Sequence, residues 1–139
     1  MKVWICGGHV LDPDTGRDGI YDVLVAEGKI CRVQEPGAFS GGEPKGGEAC
    51  RVIDGTGLYV MPGIVDLHVH LRDPGFEYKE TLATGGLAAA KGGVTTICAM
   101  PNTDPVTDSP EKIRAQRERA RRECPVHVSF VGAVTVGQK

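Results

Sequence analysis

The chain has 139 residues, 40% of them hydrophobic and 24% charged, a balance that excludes disorder along its whole length and allows a packed core. A formal net charge of −2 offers no general attraction to polyanions, so nucleic acid and anionic membrane are disfavoured and a small molecule is the default partner. Five cysteines, widely separated, odd in number and without a CxxC pair, argue against a disulfide framework or a zinc ribbon and point to reduced thiols in the cytoplasm.

The first ten residues hold a short apolar run that Gly7, Gly8 and His9 interrupt, too brief for a signal sequence or a membrane span. Short β-prone runs follow one another at residues 3–6, 21–26, 30–34 and 51–53, which predicts a small β domain over 1–60. Glu27-Gly28-Lys29 reads as a hairpin turn, because Gly28 can take the positive φ such a turn needs, and Asp12-Pro13-Asp14-Thr15-Gly16 is a second turn cluster. Residues 36–49 contain five glycines and two prolines with few apolar side chains, the composition of a flexible loop between strands.

Past Met61-Pro62-Gly63 the pattern becomes strand (64–71), helix (81–91), strand (94–100), helix (109–123) and strand (125–131), the order of parallel βα units, so 61–139 reads as a second domain. Gly92-Gly93 predicts a left-handed end to the first helix, and Ser109-Pro110-Glu111 a strong start for the second. Three such strands with two helices cannot close an eight-stranded barrel, which takes about 250 residues, so the sheet is either open or part of an incomplete barrel.

The chemistry concentrates in Asp66-Leu67-His68-Val69-His70-Leu71-Arg72, where polar and apolar side chains alternate. On a regular strand Asp66, His68, His70 and Arg72 would share one face, with the two imidazoles near enough to hold one metal ion. The plainer alternative is a chance pair of hydrogen-bonded histidines at a strand end. Arg72 offers a planar fork matched to a carboxylate, which suits an acidic substrate; a salt bridge to Asp73, Glu77 or Glu80 would use the same fork.

Asn102 lies at the equivalent end of the second strand, where its amide can bind a substrate carboxylate or amide, although Pro101-Asn102-Thr103-Asp104-Pro105 is also turn chemistry throughout. His127, in the third strand, is a further conceivable ligand but reads more simply as a structural histidine. The second helix carries Lys112, Arg114, Arg117, Arg119, Arg121 and Arg122 among Glu111, Glu118 and Glu123, the composition of a solvated face without a catalytic role. Cys98 reads as a small buried apolar residue.

The run Met61-Pro62-Gly63-Ile64-Val65-Asp66-Leu67-His68-Val69-His70-Leu71-Arg72-Asp73-Pro74-Gly75 resembles the first-strand signature of dihydroorotases in the amidohydrolase superfamily. Lys79-Glu80-Thr81, the Ala88-Ala89-Ala90 helix, Gly92-Gly93-Val94-Thr95-Thr96 and Met100-Pro101-Asn102-Thr103 extend the resemblance. It implies an α/β fold, namely the first βα units of a TIM-like (β/α)8 barrel preceded by a small β domain, with the barrel incomplete in this chain. It also implies one or two zinc ions with His68 and His70 as ligands, and Arg72 and Asn102 on the substrate carboxylate. The reaction implied is the reversible cyclisation of N-carbamoyl-L-aspartate to L-dihydroorotate in pyrimidine biosynthesis.

Hydantoinases and allantoinases share the two histidines but usually lack the arginine and the Pro-Asn-Thr run, and a non-catalytic partner of aspartate transcarbamoylase is a third possibility. In the family pattern the remaining ligands and the catalytic acid fall beyond Lys139. Two histidines are fewer than the three protein ligands of a catalytic zinc site, so this chain alone is expected to be inactive and to bind zinc weakly.

Overall fold

The computed structural model describes residues 1–37 and 50–139, in two compact units, Met1–Pro62 and Gly63–Lys139. The loop expected over 36–49 lies, from residue 38 onward, outside the described residues.

In the first unit, strands β1 (Lys2–Asp12), β2 (Arg17–Ala26), β3 (Lys29–Gln34) and β4 (Cys50–Asp54) form a sheet in the order β3-β2-β1-β4, with the short β5 (Tyr59–Val60) also pairing with β1. β1 is antiparallel to β2 and parallel to β4 and β5. The Glu27-Gly28 turn joins β2 to β3 with φ of 53° and 73°, the double positive φ of a type I′ hairpin turn.

The first strand is longer than the sequence implies. Gly7 and Gly8, which read as a break, sit instead at a register shift between Ile5 and Gly8, so the strand bulges and continues to Asp12. Gly7 takes the left-handed conformation there, and its N–H is satisfied by the buried Asp22 carboxylate at 2.7 Å. Val10 and Val23 form the buried apolar centre of this unit.

The second unit is a parallel sheet of β6 (Ile64–Val69), β7 (Val94–Ala99) and β8 (His127–Phe130) in sequential order, with α1 (Leu82–Lys91) and α2 (Pro110–Glu123) as the crossovers. Thr81 caps α1 through a reciprocal pair of hydrogen bonds with Thr84, each 3.1 Å. The left-handed residue ending this helix is Gly93, with φ of 77°. Ser109 caps α2 by accepting from the Lys112 N–H at 3.4 Å, with Pro110 in the first turn. The third strand is followed by a 3₁₀ turn, Val136–Gln138.

The core of this unit is Leu71, Leu82, Ile97, Ala99 and Ala120, bordered by Val69, Ala89, Val94, Val126, Val128 and Phe130. Gly85 and Gly86 let α1 approach its neighbours: a Cβ on Gly85 would lie 2.5 Å from Leu71 Cδ2, and one on Gly86 2.4 Å from Cys124 Sγ. Each glycine costs about 1 kcal/mol of helix propensity, offset here by the packing it permits. β6 is more open than a covered barrel strand, with Ile64, Val65 and Leu67 exposed within this chain.

Candidate active site

The histidines stand where β6 loses its regular pleat. Asp66 is paired with Ile97 but Val69 with Ala99, so β6 carries one residue more than β7 over that stretch, a bulge of the kind that re-aims side chains. It breaks the strict alternation. Asp66, expected on the histidine face, accepts from the His68 backbone N–H at 3.1 Å and lines an open cavity together with His70.

His68 and His70 do come together, with their Nε2 atoms 3.2 Å apart and their rings edge to face at a centroid distance of 5.0 Å. Both residues are exposed in this chain rather than buried. Two ring nitrogens this close require either a single proton between them or a shared cation. Two imidazole nitrogens on one tetrahedral zinc, at bonds of about 2.0–2.1 Å, would be separated by about 3.3 Å, so the donor pair fits that ion.

The back of His70 is fixed as well. Its Nδ1 lies 2.8 Å from Oδ1 of Asn102. An amide oxygen only accepts, so Nδ1 carries the proton and the Nε2 lone pair is directed toward His68. This is how a ligating imidazole is oriented from its far side. Asn102 follows β7 in a true turn, Thr103 N–H donating to Pro101 O at 2.8 Å, so the turn reading and the site reading of this residue are compatible.

Arg72, just past the strand, adopts φ of 61° and is half-buried. With Phe76, Asn102, Thr103, Asp104 and Val106 it lines an open cavity of about 340 Å³, so the two residues expected to bind a carboxylate face one space. Of the acids that could have occupied Arg72, Asp73 is taken elsewhere: its carboxylate, 2% exposed, receives Nη1 and Nη2 of Arg119 at 2.7 and 3.2 Å. Arg119 also donates to Glu123 at 3.0 and 3.3 Å, and these bonds, Glu123 first and Asp73 second, push its guanidinium above the ordinary range.

Arg119 is therefore not part of a merely solvated face, which its place among alternating charges suggested. The signal available was helical spacing: Gln116, Arg119, Ala120 and Glu123 recur at the three- and four-residue intervals of one face, and Ala120 and Gln116 are buried. His127 is exposed on β8, opposite Thr96 in the ladder, and is not gathered with the other two histidines. Among the described residues, no group of three His, Cys, Asp or Glu side chains is placed to hold a metal ion. Cys98 is half-buried, and all five cysteines are free thiols.

Comparison with known proteins gives the class and the family. The L-hydantoinase (dihydropyrimidinase) of Arthrobacter aurescens superimposes with a TM-score of 0.77 at 29% identity, over 94% of this chain and 27% of that one. A D-hydantoinase of Thermus sp. does so at 0.69 with 30% identity, over 95% and 27%. The fold is thus a mixed α/β arrangement of the amidohydrolase class.

In sequence, the dihydroorotase of Acetivibrio thermocellus is 44% identical over 97% of this chain and 30% of its own length. That of Ruminiclostridium cellulolyticum is 44% identical over 100% of this chain and 31% of its own. The family model described as Dihydro-orotase-like matches residues 57–139, and the chain belongs to that family. It spans about 30% of the length of these curated relatives.

Proposed function

We propose that this chain supplies the metal-binding and carboxylate-binding part of a zinc-dependent dihydroorotase, which interconverts N-carbamoyl-L-aspartate and L-dihydroorotate in cytoplasmic pyrimidine biosynthesis. On this reading residues 63–139 are the opening βα units of a (β/α)8 barrel and residues 1–62 a small β domain. The observation that carries it is the convergence of His68 and His70 at 3.2 Å next to a cavity that Arg72 and Asn102 both line. The relatives named dihydroorotase and the family match support the same substrate class.

His68 and His70 would hold the zinc through Nε2, with Asn102 keeping His70 in the ligating tautomer. An ion held there would supply a Lewis acid for the ring amide carbonyl and lower the pKa of a water molecule toward neutrality. Arg72 receives the ring carboxylate in its planar fork and the Asn102 amide donates alongside it, which fixes the scissile amide relative to the histidines. The two imidazoles leave the ligand set short of the three protein donors of a catalytic site, so further ligands and a proton-shuttling acid come from outside these residues. One or two zinc ions, and assembly as a homo-oligomer or with aspartate transcarbamoylase, are compatible with this reading.

The hydantoinase likeness of the fold favours a second reading, a cyclic amidohydrolase acting on a neutral ring. The two are separated on a single sample of the natural-length gene product by measuring intact mass, zinc content and hydrolysis of dihydroorotate against hydantoin. Preference for dihydroorotate with stoichiometric zinc supports the proposal. Equal or greater turnover of hydantoin would replace it by the second reading.

A further inference from the structure

The two side chains assigned to the substrate carboxylate, Arg72 and Asn102, lie on separate loops, and both loops are fastened to α2. From Arg119, a two-pronged contact at 2.7 and 3.2 Å reaches the carboxylate of Asp73, the residue next to Arg72. Asp73 is 2% exposed at its side chain and also accepts from the Leu82 N–H at 3.3 Å, so its position is set on both sides. From Gln116, one helical turn earlier, Nε2 donates to Thr107 Oγ1 at 2.6 Å, and Thr107 Oγ1 meets Thr103 Oγ1 at 2.9 Å. Thr103 is the residue next to Asn102.

These groups are withdrawn from water: Thr107 is 1% exposed, Gln116 5% and Thr103 6%. Buried polar groups with satisfied partners hold a single arrangement, because any other leaves them unpaired in a low-dielectric surrounding. The loops are also tied to each other, the Asp104 N–H donating to Pro74 O at 2.9 Å. Gln116 and Arg119 are three residues apart on one helix face, so a rigid rod sets the separation of the two loops.

We propose that Gln116 and Arg119 are positioning residues for carboxylate recognition: α2 acts as a brace that presents Arg72 through Asp73 and Asn102 through Thr107 and Thr103. This rests on the reading of Arg72 and Asn102 as the carboxylate anchors. A displaced fork loses its paired geometry with the carboxylate. The carboxylate is not the reacting group and is held alike in the ground and transition states, so the brace should show in substrate affinity more than in turnover.

The test is a pair of double-mutant cycles in the natural-length, zinc-loaded gene product, with KM for dihydroorotate, kcat, zinc content and melting temperature read on every variant. Arg72→Ala should raise KM about tenfold or more, and Arg119→Gln should raise it several-fold (roughly three to ten) with zinc content unchanged and kcat little changed. In the Arg72→Ala background, Arg119→Gln should add nothing further to KM, because both act through one contact. Arg119→Lys should recover only part of the loss, since an ammonium cannot make the two-pronged contact.

Gln116→Ala against Asn102→Ala, assayed at saturating zinc because Asn102 also contacts His70, forms the second cycle, with the same non-additive pattern in KM expected, and keeps the proposal testable if Arg119→Gln fails to fold. Multiplying effects in both cycles, or a fall in melting temperature with KM unchanged, would overturn the brace. An Arg72→Ala variant with unaltered KM, or a parent that does not turn over dihydroorotate, would overturn the functional reading beneath it, an outcome distinct from failure of the brace alone.

Discussion

His70 and Asn102, thirty-two residues apart, meet through Nδ1 and Oδ1 at 2.8 Å, and this single contact decides which nitrogen of His70 is free to ligate. Removing the acceptor leaves the ring free to flip or to protonate at Nε2. Asn102→Ala is therefore expected to weaken zinc binding by about 10- to 100-fold, the cost of losing such an outer partner. Competition against a chromogenic chelator, using the natural-length gene product, measures this directly. Zinc affinity equal to that of the parent would show that the contact does not orient the ligand.

Gly75 explains why the Arg-Asp-Pro run ends on a glycine. Its φ is 100°, and a Cβ there would lie 2.3 Å from the backbone O of Asp104 and 2.5 Å from its Cβ. Neither obstacle is the movable tip of a long side chain. Gly75→Ala should thus cost about 1–3 kcal/mol from backbone conformation alone, and more from the displaced loop. Chemical denaturation reads this as a lowered midpoint with the slope retained. An unshifted midpoint would mean that the two loops separate freely.

Much of this architecture is legible in the sequence, and what is not depends on partners far along the chain. Ser109-Pro110 at the head of α2, the Glu27-Gly28 turn and the pairing of His68 with His70 follow from local rules of capping, turn conformation and strand period. The Gly7-Gly8 bulge is different, because a bulge is defined by register against β2 and no local signal separates it from a break. The extra residue in β6 between Asp66 and Val69 is hidden for the same reason, since it exists only relative to β7.

Arg119 is indistinguishable from its neighbours in the sequence. Several arginines and glutamates in one helix look alike until one of them meets a buried acid, and Asp73 lies forty-six positions away. The side chains of α2 that remain exposed, such as Arg121 and Arg122 with Glu118, do behave as the solvated pairs their composition suggests.

Asp108 gives a pH-dependent prediction. The hydrogen bond from Lys112 Nζ at 2.6 Å, and after it the Gly137 N–H at 2.7 Å, holds its carboxyl below the ordinary 3.8. A carboxyl depressed in the folded state adds stability that is fully present above its unfolded value and is lost as pH falls through the folded one. Asp108→Asn should accordingly lower the melting temperature at neutral pH, and the difference from the parent should shrink below about pH 4. A difference that stays constant down to about pH 2 would show that the carboxylate charge is irrelevant to that contact.

The last prediction concerns the 139 residues by themselves. Among the described residues the metal donors stop at two imidazoles, and His127 is not placed to make a third. Two neutral nitrogens on an open strand give zinc neither the ligand count of a catalytic site nor a charge to offset its own. A polypeptide of this length should bind zinc far more weakly than a full-length relative such as the dihydroorotase of Acetivibrio thermocellus, release it to a mild chelator, and show no hydrolysis of dihydroorotate. His68→Ala should abolish what binding there is, since removing one imidazole of two leaves no chelate. Equilibrium dialysis with the parent and His68→Ala polypeptides measures both, and stoichiometric zinc retained by the variant would place the ion away from this pair of histidines.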